Sequence, residues 1–175
     1  KNSVYKLVSE MVSASPMGAN GLFFLPYLLG ERSPWWNADA RASFVGLTLS
    51  HTRGDMLRAV MEGVAYNLDI ILKAFSGKID IKDLIVVGGG ARNDVWLQIL
   101  ADIFGIPVKK PFILEEATSM GAAITAGVGV GLYDDFGIAE KFISICGTFE
   151  PNMGNNEFYN KMKPVFADCY KRTEP

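Results

Sequence analysis

Residues 84–107 read LIVVGGGARNDVWLQILADIFGIP, and no other stretch restricts the possible fold as much. The short apolar run at 84–87 fits a strand covered on both faces. Gly88, Gly89 and Gly90 follow at once. Glycine reaches backbone angles that a Cβ forbids, and it lets another molecule approach the main chain closely. A helix then starts near Asn93, a good N-cap residue, and runs over about 94–104. Gly105 stands where a left-handed C-terminal residue belongs, with Pro107 just beyond. The unit is therefore a strand, a bare turn and a capped helix. In open α/β sheets ligands bind at the carboxyl ends of strands, and the free N–H groups of the following helix point there.

Taken alone, the turn leaves two readings open: a tight connection with no ligand, or a ligand-binding surface. It is not a P-loop, which needs a lysine followed by Ser or Thr after its last glycine. It is not the dinucleotide fingerprint either, which needs a glycine where Asn93 stands.

The rest of the chain alternates helix and strand, which makes the class α/β. Val4, Leu7, Val8, Met11 and Val12 recur at helical spacing, ended by Pro16 and Gly18. Residues 22–25 read as a strand, with Pro26 placing it near an edge or an end. ERSPWWNADARAS is a loop with adjacent tryptophans. Residues 54–75 form the clearest helix. Asp55, Arg58, Glu62, Tyr66, Asp69 and Lys73 make one stripe, and Leu57, Val60, Met61, Val64, Leu68, Ile71, Leu72 and Phe75 fill the other side. That pattern predicts a polar outer face and an apolar face packed on a sheet. PVKKP suggests a short strand. A helix at 115–131 carries a small-residue face suited to a close neighbour, and further helices are expected at about 136–142 and 157–172.

Composition excludes several classes. The chain has 175 residues, of which 49% are hydrophobic and 21% charged, enough for a core and unlike a disordered tail. A net charge of −2 speaks against a nucleic-acid surface. The most apolar run, 120–133, is too short and glycine-rich to span a membrane, and no secretory signal is visible. Cys146 and Cys169 fit no metal or redox motif, so a reducing, cytoplasmic setting is expected. The chain begins at Lys1 rather than at a methionine, which suggests part of a longer protein.

Several blocks, in order, resemble the C-terminal domain of the FGGY carbohydrate kinases. LPYLLGERSPWWNADARASFVGLT is similar to the loop before the family's second signature. ASFVGLTLSHTRGDMLRAVME fits that signature, from Ala42 through Gly46, Leu47, Asp55, Met56, Ala59 and Val60 to Glu62. VVGGGARNDVWLQILADIFGIPV looks like the adenosine-binding turn, and EEATSMGAAITAGVGVG like the helix after it. The resemblance implies a partial actin-like ATPase (RNase H-like) domain, a sheet flanked by helices. Residues 1–175 would then be the nucleotide-binding domain without its first strands and without the amino-terminal sugar domain. It also implies ATP with Mg²⁺ as phosphoryl donor. The sugar would be D-xylulose or, in other members, gluconate, ribulose, rhamnulose or glycerol. Gly88, Gly89, Gly90 and Ala91 would border adenine and ribose, and Asn93 would meet the base edge. The family's general-base aspartate and phosphate loop lie before the second signature, so this chain alone is expected to be inactive. A non-catalytic actin-like nucleotide-binding module is the alternative.

Other residues carry paired readings. Glu62 reads first as a solvated partner of Arg58, otherwise as a cleft carboxylate. Glu31 and Arg32, in a loop, are either cleft residues or a local ion pair. Trp35 and Trp36 cannot bury on one face, so one should pack inward and the other meet the cleft, another domain or a second copy in a homodimer. His51, alone of its type, reads as structural or exposed. Thr118 and Ser119 read as caps of the 115–131 helix or as borders of the nucleotide.

Overall fold

The computed structural model describes residues 2–75, 77–114 and 116–174. Helix α1 (Asn2–Ala14) leads through a 3-10 turn (Ala19–Gly21) into strand β1 (Phe23–Leu25), which pairs antiparallel with β2 (Ser43–Val45). Helix α2 (Arg53–Lys73) follows. Strand β3 (Leu84–Ile85) precedes α3 (Asp94–Phe104), and β4 (Val108–Pro111) precedes α4 (Ala117–Gly129). A 3-10 turn (Phe136–Ile138) and the short α5 (Ala139–Phe142) come before β5 (Ile145–Phe149), and α6 (Met153–Thr173) completes the order. The larger sheet runs β3-β4-β5, parallel between β3 and β4 and antiparallel between β4 and β5.

The core lies among α2, α3, α6 and the segment around β1. Leu97, Leu100 and Ile103 of α3 meet Tyr66 of α2 and Tyr159, Phe166 and Tyr170 of α6. Trp35 stacks on Tyr170 with ring centroids 4.7 Å apart and donates its indole N–H to the Tyr27 hydroxyl. Trp36 points outward, 80% exposed, so the tryptophan pair divides as its adjacency requires. His51 lies in the loop before α2, within hydrogen-bond reach of Thr48 and Asn20.

Helix α2 corrects the sequence reading most sharply. Its supposed solvent stripe is the buried side: Asp55, Glu62, Tyr66 and Asp69 are each at most 3% exposed. Asp55, Glu62 and Asp69 recur every seven residues, two helical turns, so they share one face. Each finds partners there. Asp55 accepts from Ser15, Asn20 and Thr52. Asp69 is held by Lys73 and Lys163, each at 2.9 Å. Glu62 accepts from Arg58 at 2.7 Å, the Tyr159 hydroxyl at 2.8 Å and the Gly18 N–H at 3.0 Å. It is therefore buried and paired, not solvated. Burial pushes its carboxyl up, and the three donors, Arg58 foremost, oppose that shift. The apolar side of α2 is only partly covered, with Leu68 40% and Phe75 46% exposed.

Three other expectations need correction. The 84–87 run is not covered on both faces, since Ile85 and Val87 are 43% and 47% exposed on the open edge of β3. Thr118 and Ser119 lie inside α4 rather than capping it; Glu116 holds the cap position and makes no side-chain cap bond. Strand β5 was not anticipated, and α6 starts earlier than the pattern suggested because Asn152 caps it through the N–H groups of Gly154 and Asn155. The small face of α4 meets a close neighbour at one point, Gly127 against the Tyr133 ring.

The caps explain why α2 and α3 begin where they do. Thr52 and Asp55 form a reciprocal capping box at the start of α2. Gly63, in the middle of α2, lies so near β1 that a Cβ there would collide with the Phe24 carbonyl oxygen. Helix propensity favours Gly→Ala by about 1 kcal/mol, whereas overpacking costs about 1–3 kcal/mol. The neighbour is rigid main chain, so overpacking wins. Gly63→Ala is expected to lower stability in urea unfolding, and an unchanged or raised midpoint would contradict this contact.

A second expectation concerns acid. The Ser15 hydroxyl, then the Thr52 N–H and hydroxyl, hold the Asp55 carboxyl down at about 2. A depressed pKa contributes stability that is complete above the unfolded value near 4 and is lost as pH falls through the folded value. Unfolding measured from pH 5 to pH 2 should therefore lose stability less steeply in Asp55→Ala than in the unaltered chain. Parallel pH profiles would refute the assignment.

Candidate functional site

Main-chain hydrogen bonds tie the end of β3 and the glycine turn to the neighbouring chain. The Val86 N–H donates to the Lys109 carbonyl at 3.0 Å, and the Gly88 N–H to the Leu114 carbonyl at 2.8 Å. Gly88 turns the chain at φ +85°, ψ −174°, a conformation essentially closed to residues with a Cβ. Residues Gly89–Arg92 form a 3-10 turn, closed by Ala91 N–H to Gly88 and Asn93 N–H to Gly90, each at 3.1 Å. Ala91 is fully buried, so its methyl plugs the turn into the core while its neighbours face outward. Asn93 caps α3 by accepting from the Val95 and Trp96 N–H groups. Its side-chain oxygen is thereby used, which leaves the amide NH₂ to meet anything lying on the turn.

The decisive property of the turn is its openness. Among the described residues, a Cβ built on Gly88 or Gly89 would meet nothing within 4 Å, and one on Gly90 would touch the Trp96 indole, at 3.4 Å. None of the described side chains therefore fills the surface at Gly88 and Gly89. Beside it is an opening of about 450 Å³ lined by Arg92, Phe112, Ile113, Leu114 and Glu116. A smaller apolar crevice of about 250 Å³ separates β3 and β4 from α4 and α5, with Ile85, Val87, Met120, Ile124 and Phe142 on its walls.

The sequence-predicted residues separate into two groups. Gly88, Gly89, Gly90, Ala91 and Asn93 come together at one bend, as their adjacency dictates. Among the described residues, Glu31 and Arg32 share no hydrogen bond, ion pair or opening with them. The Glu31 carboxylate accepts from the Ser33 N–H and from Asn67 on α2, so it holds its own loop. Arg32 is exposed and makes no hydrogen bond or ion pair among the described residues, so the two are not a local ion pair. Sequence reasoning missed Phe112, Leu114 and Glu116. The signal was their position just after β4, the strand paired in parallel with β3, since that pairing brings both carboxyl ends to one place. Among the described residues no three His, Cys, Asp or Glu side chains gather as a cation-binding group. The described residues therefore do not fit a Mg²⁺ site of their own.

Comparison with known proteins bears on the family and the fold. The model of the FGGY family of carbohydrate kinases, C-terminal domain, matches residues 2–130. A xylulose kinase of Staphylococcus epidermidis is 39% identical over 176 residues, covering 99% of this chain and 35% of the relative. The crystal structure of ligand-bound xylulose kinase from Lactobacillus acidophilus superposes with a TM-score of 0.85 at 30% identity, over 94% of this chain and 34% of that one. Plasmodium falciparum glycerol kinase with ADP gives 0.78 at 27% identity, over 96% and 33%. The chain thus spans about a third of the length of these relatives, and its α/β arrangement is part of their actin-like ATPase fold. On the family match and the shared architecture together, the chain belongs to the FGGY family of carbohydrate kinases, within its C-terminal domain.

Proposed function

We propose that this chain is the adenosine-holding portion of an ATP-dependent sugar kinase whose substrate is D-xylulose, converted to D-xylulose 5-phosphate. One observation carries the reading: Gly88 and Gly89 present main chain with nothing among the described residues within 4 Å of a would-be Cβ, at the carboxyl end of a parallel strand and ahead of a capped helix. A purine and its ribose can lie against such a surface, with the Asn93 amide as a donor toward the base edge. ATP supplies the γ-phosphoryl group, which passes to a sugar hydroxyl. The role of these residues is to position the donor, because phosphoryl transfer depends chiefly on alignment and charge stabilisation. The metal that accompanies ATP would be held by the phosphates and by groups outside this chain. The general base and the sugar contacts belong to the portion of the relatives that this chain does not span. The isolated chain therefore binds nucleotide without transferring phosphate. Use of ATP and the two free thiols fit a cytoplasmic setting.

Gluconate, ribulose, rhamnulose and glycerol are the competing sugars, since the choice among them lies mainly in the sugar domain. A non-catalytic nucleotide-binding module would bind ADP equally well, and a coupled kinase assay on the whole protein with each sugar separates these readings. The nucleotide assignment itself is tested by thermal shift with ADP, because a ligand that binds only the folded state raises the melting temperature. Gly89→Leu is the most informative variant. Position 89 has open space and no positive φ, so leucine fills the ligand volume without forcing the fold, whereas at position 90 it would press on Trp96. ADP should stabilise the unaltered chain, and Gly89→Leu should melt normally yet lose the response. An equal response in both, or none in either, would overturn the assignment.

A further inference from the structure

We propose that the segment after β4 forms the second wall of the nucleoside site, with Phe112 stacking on the base and Glu116 accepting from the ribose hydroxyls. This inference rests on the nucleotide reading of the glycine turn and goes beyond the residues of that turn. Three observations place the wall. The Gly88 N–H bonds to the Leu114 carbonyl, so the segment is hinged directly to the bare turn. The opening beside the turn is closed by Arg92 at the far end of the turn and by Phe112, Ile113, Leu114 and Glu116 opposite. Finally, the Phe112 ring and the Glu116 carboxylate are both exposed there.

Phe112 is pinned through its main chain, its N–H donating to the Ser144 carbonyl at 2.8 Å, while its ring stays 77% exposed. A fixed backbone holding an uncovered ring at the edge of an opening is a ready stacking surface, and every nucleobase offers a π face to it. Glu116 occupies the cap position of α4, where its carbonyl accepts from the Met120 N–H, but its side chain makes no cap bond, and among the described residues its carboxylate has no hydrogen bond or ion pair. An ionised carboxylate only accepts. The ribose hydroxyls are donors it can take, whereas the nucleotide's phosphates would be repelled from it. The segment therefore orients the nucleoside with its sugar toward α4 and its phosphates away from it.

Calorimetric titration of the chain tests this with ADP, adenosine and 2′,3′-dideoxy-ADP. Phe112→Ala should weaken ADP and adenosine alike, by about tenfold, which is the scale of one base–aromatic stack. Phe112→Tyr should restore them. Glu116→Gln should weaken ADP several-fold and leave 2′,3′-dideoxy-ADP unchanged. Far-UV circular dichroism and melting temperature should be those of the unaltered chain, since both side chains project outward. If Gly89→Leu abolishes ADP binding while Phe112→Ala and Glu116→Gln bind ADP normally, the second wall is wrong and the turn assignment stands. If the unaltered chain binds neither ADP nor adenosine, both are wrong.

Discussion

A single carboxylate organises the middle of this fold. Glu62 is 2% exposed and takes hydrogen bonds from three separate parts of the chain: Arg58 a turn earlier, Tyr159 on α6 and the Gly18 main chain. Arg58 in turn reaches the Val12 and Ser15 carbonyls at the end of α1 and the Tyr159 hydroxyl. Tyr159 thus accepts from the guanidinium and donates to the carboxylate, which closes the network. Such a group adds little net stability over an apolar core of the same shape, but removing one partner leaves an uncompensated buried charge and costs about 3–5 kcal/mol. Its consequence is specificity. Only one rotation of α2 and one register of α6 can supply all the donors, and every other element is placed relative to those helices.

The glycine turn inherits its rigidity from that arrangement through α3. Leu97, Leu100 and Ile103 lock the helix to the α2–α6 core. Its far end is tied as well. Gly105 leaves the helix at φ +73°, and Asn156 donates to the otherwise free carbonyls of Asp102 and Ile103. The Asp102 carboxylate accepts from Gln98, the Asn152 N–H and Asn155, so the end of α3 and the start of α6 share one polar knot. With its start capped by Asn93 and its end fixed, α3 cannot slide. The bare backbone ahead of it therefore keeps one shape whether or not anything lies against it, and binding there need not order the loop first.

Local chemistry was readable in the sequence, and orientation was not. The strand, the turn and both ends of α3 follow from glycine, asparagine and proline acting on their own neighbours, so residues 84–107 announce their structure. Helix α2 was found by its periodicity, yet its faces were assigned backwards. Asp55, Glu62 and Asp69 look solvated when only their helix is considered. Their partners Ser15, Tyr159 and Lys163 lie 40, 97 and 94 residues away, and no local pattern reports them. Strand β5 failed for a related reason. ICGTF has weak strand character of its own, with a glycine at its centre, and it becomes a strand by pairing with β4. At the site, the sequence did not report that the Ala91 methyl turns into the core, which leaves its main chain as the part available to a ligand. The 112–116 wall went unnoticed because it meets the turn only across a parallel strand pair.

The unburied apolar surfaces belong to the same physical account. Parallel strands are normally covered on both faces and rarely stand at an open edge with branched side chains exposed. Here β3 offers Ile85 and Val87 to solvent, α2 leaves Leu68 and Phe75 partly bare, and the crevice behind α4 and α5 is walled by apolar residues. All three are surfaces that a wider sheet, with further strands beside β3, would bury. The relatives are about three times as long as this chain, so they have the material for such strands. The side of the turn that faces the opening is different: it is bare main chain rather than exposed side chain, and a neighbouring strand would gain no apolar contact by covering it. The exposed apolar groups at the β3 edge and the α2 flank are thus distinct from the bare main chain at Gly88 and Gly89: the first is surface whose burial apolar contact would favour, the second is surface that another molecule can approach closely.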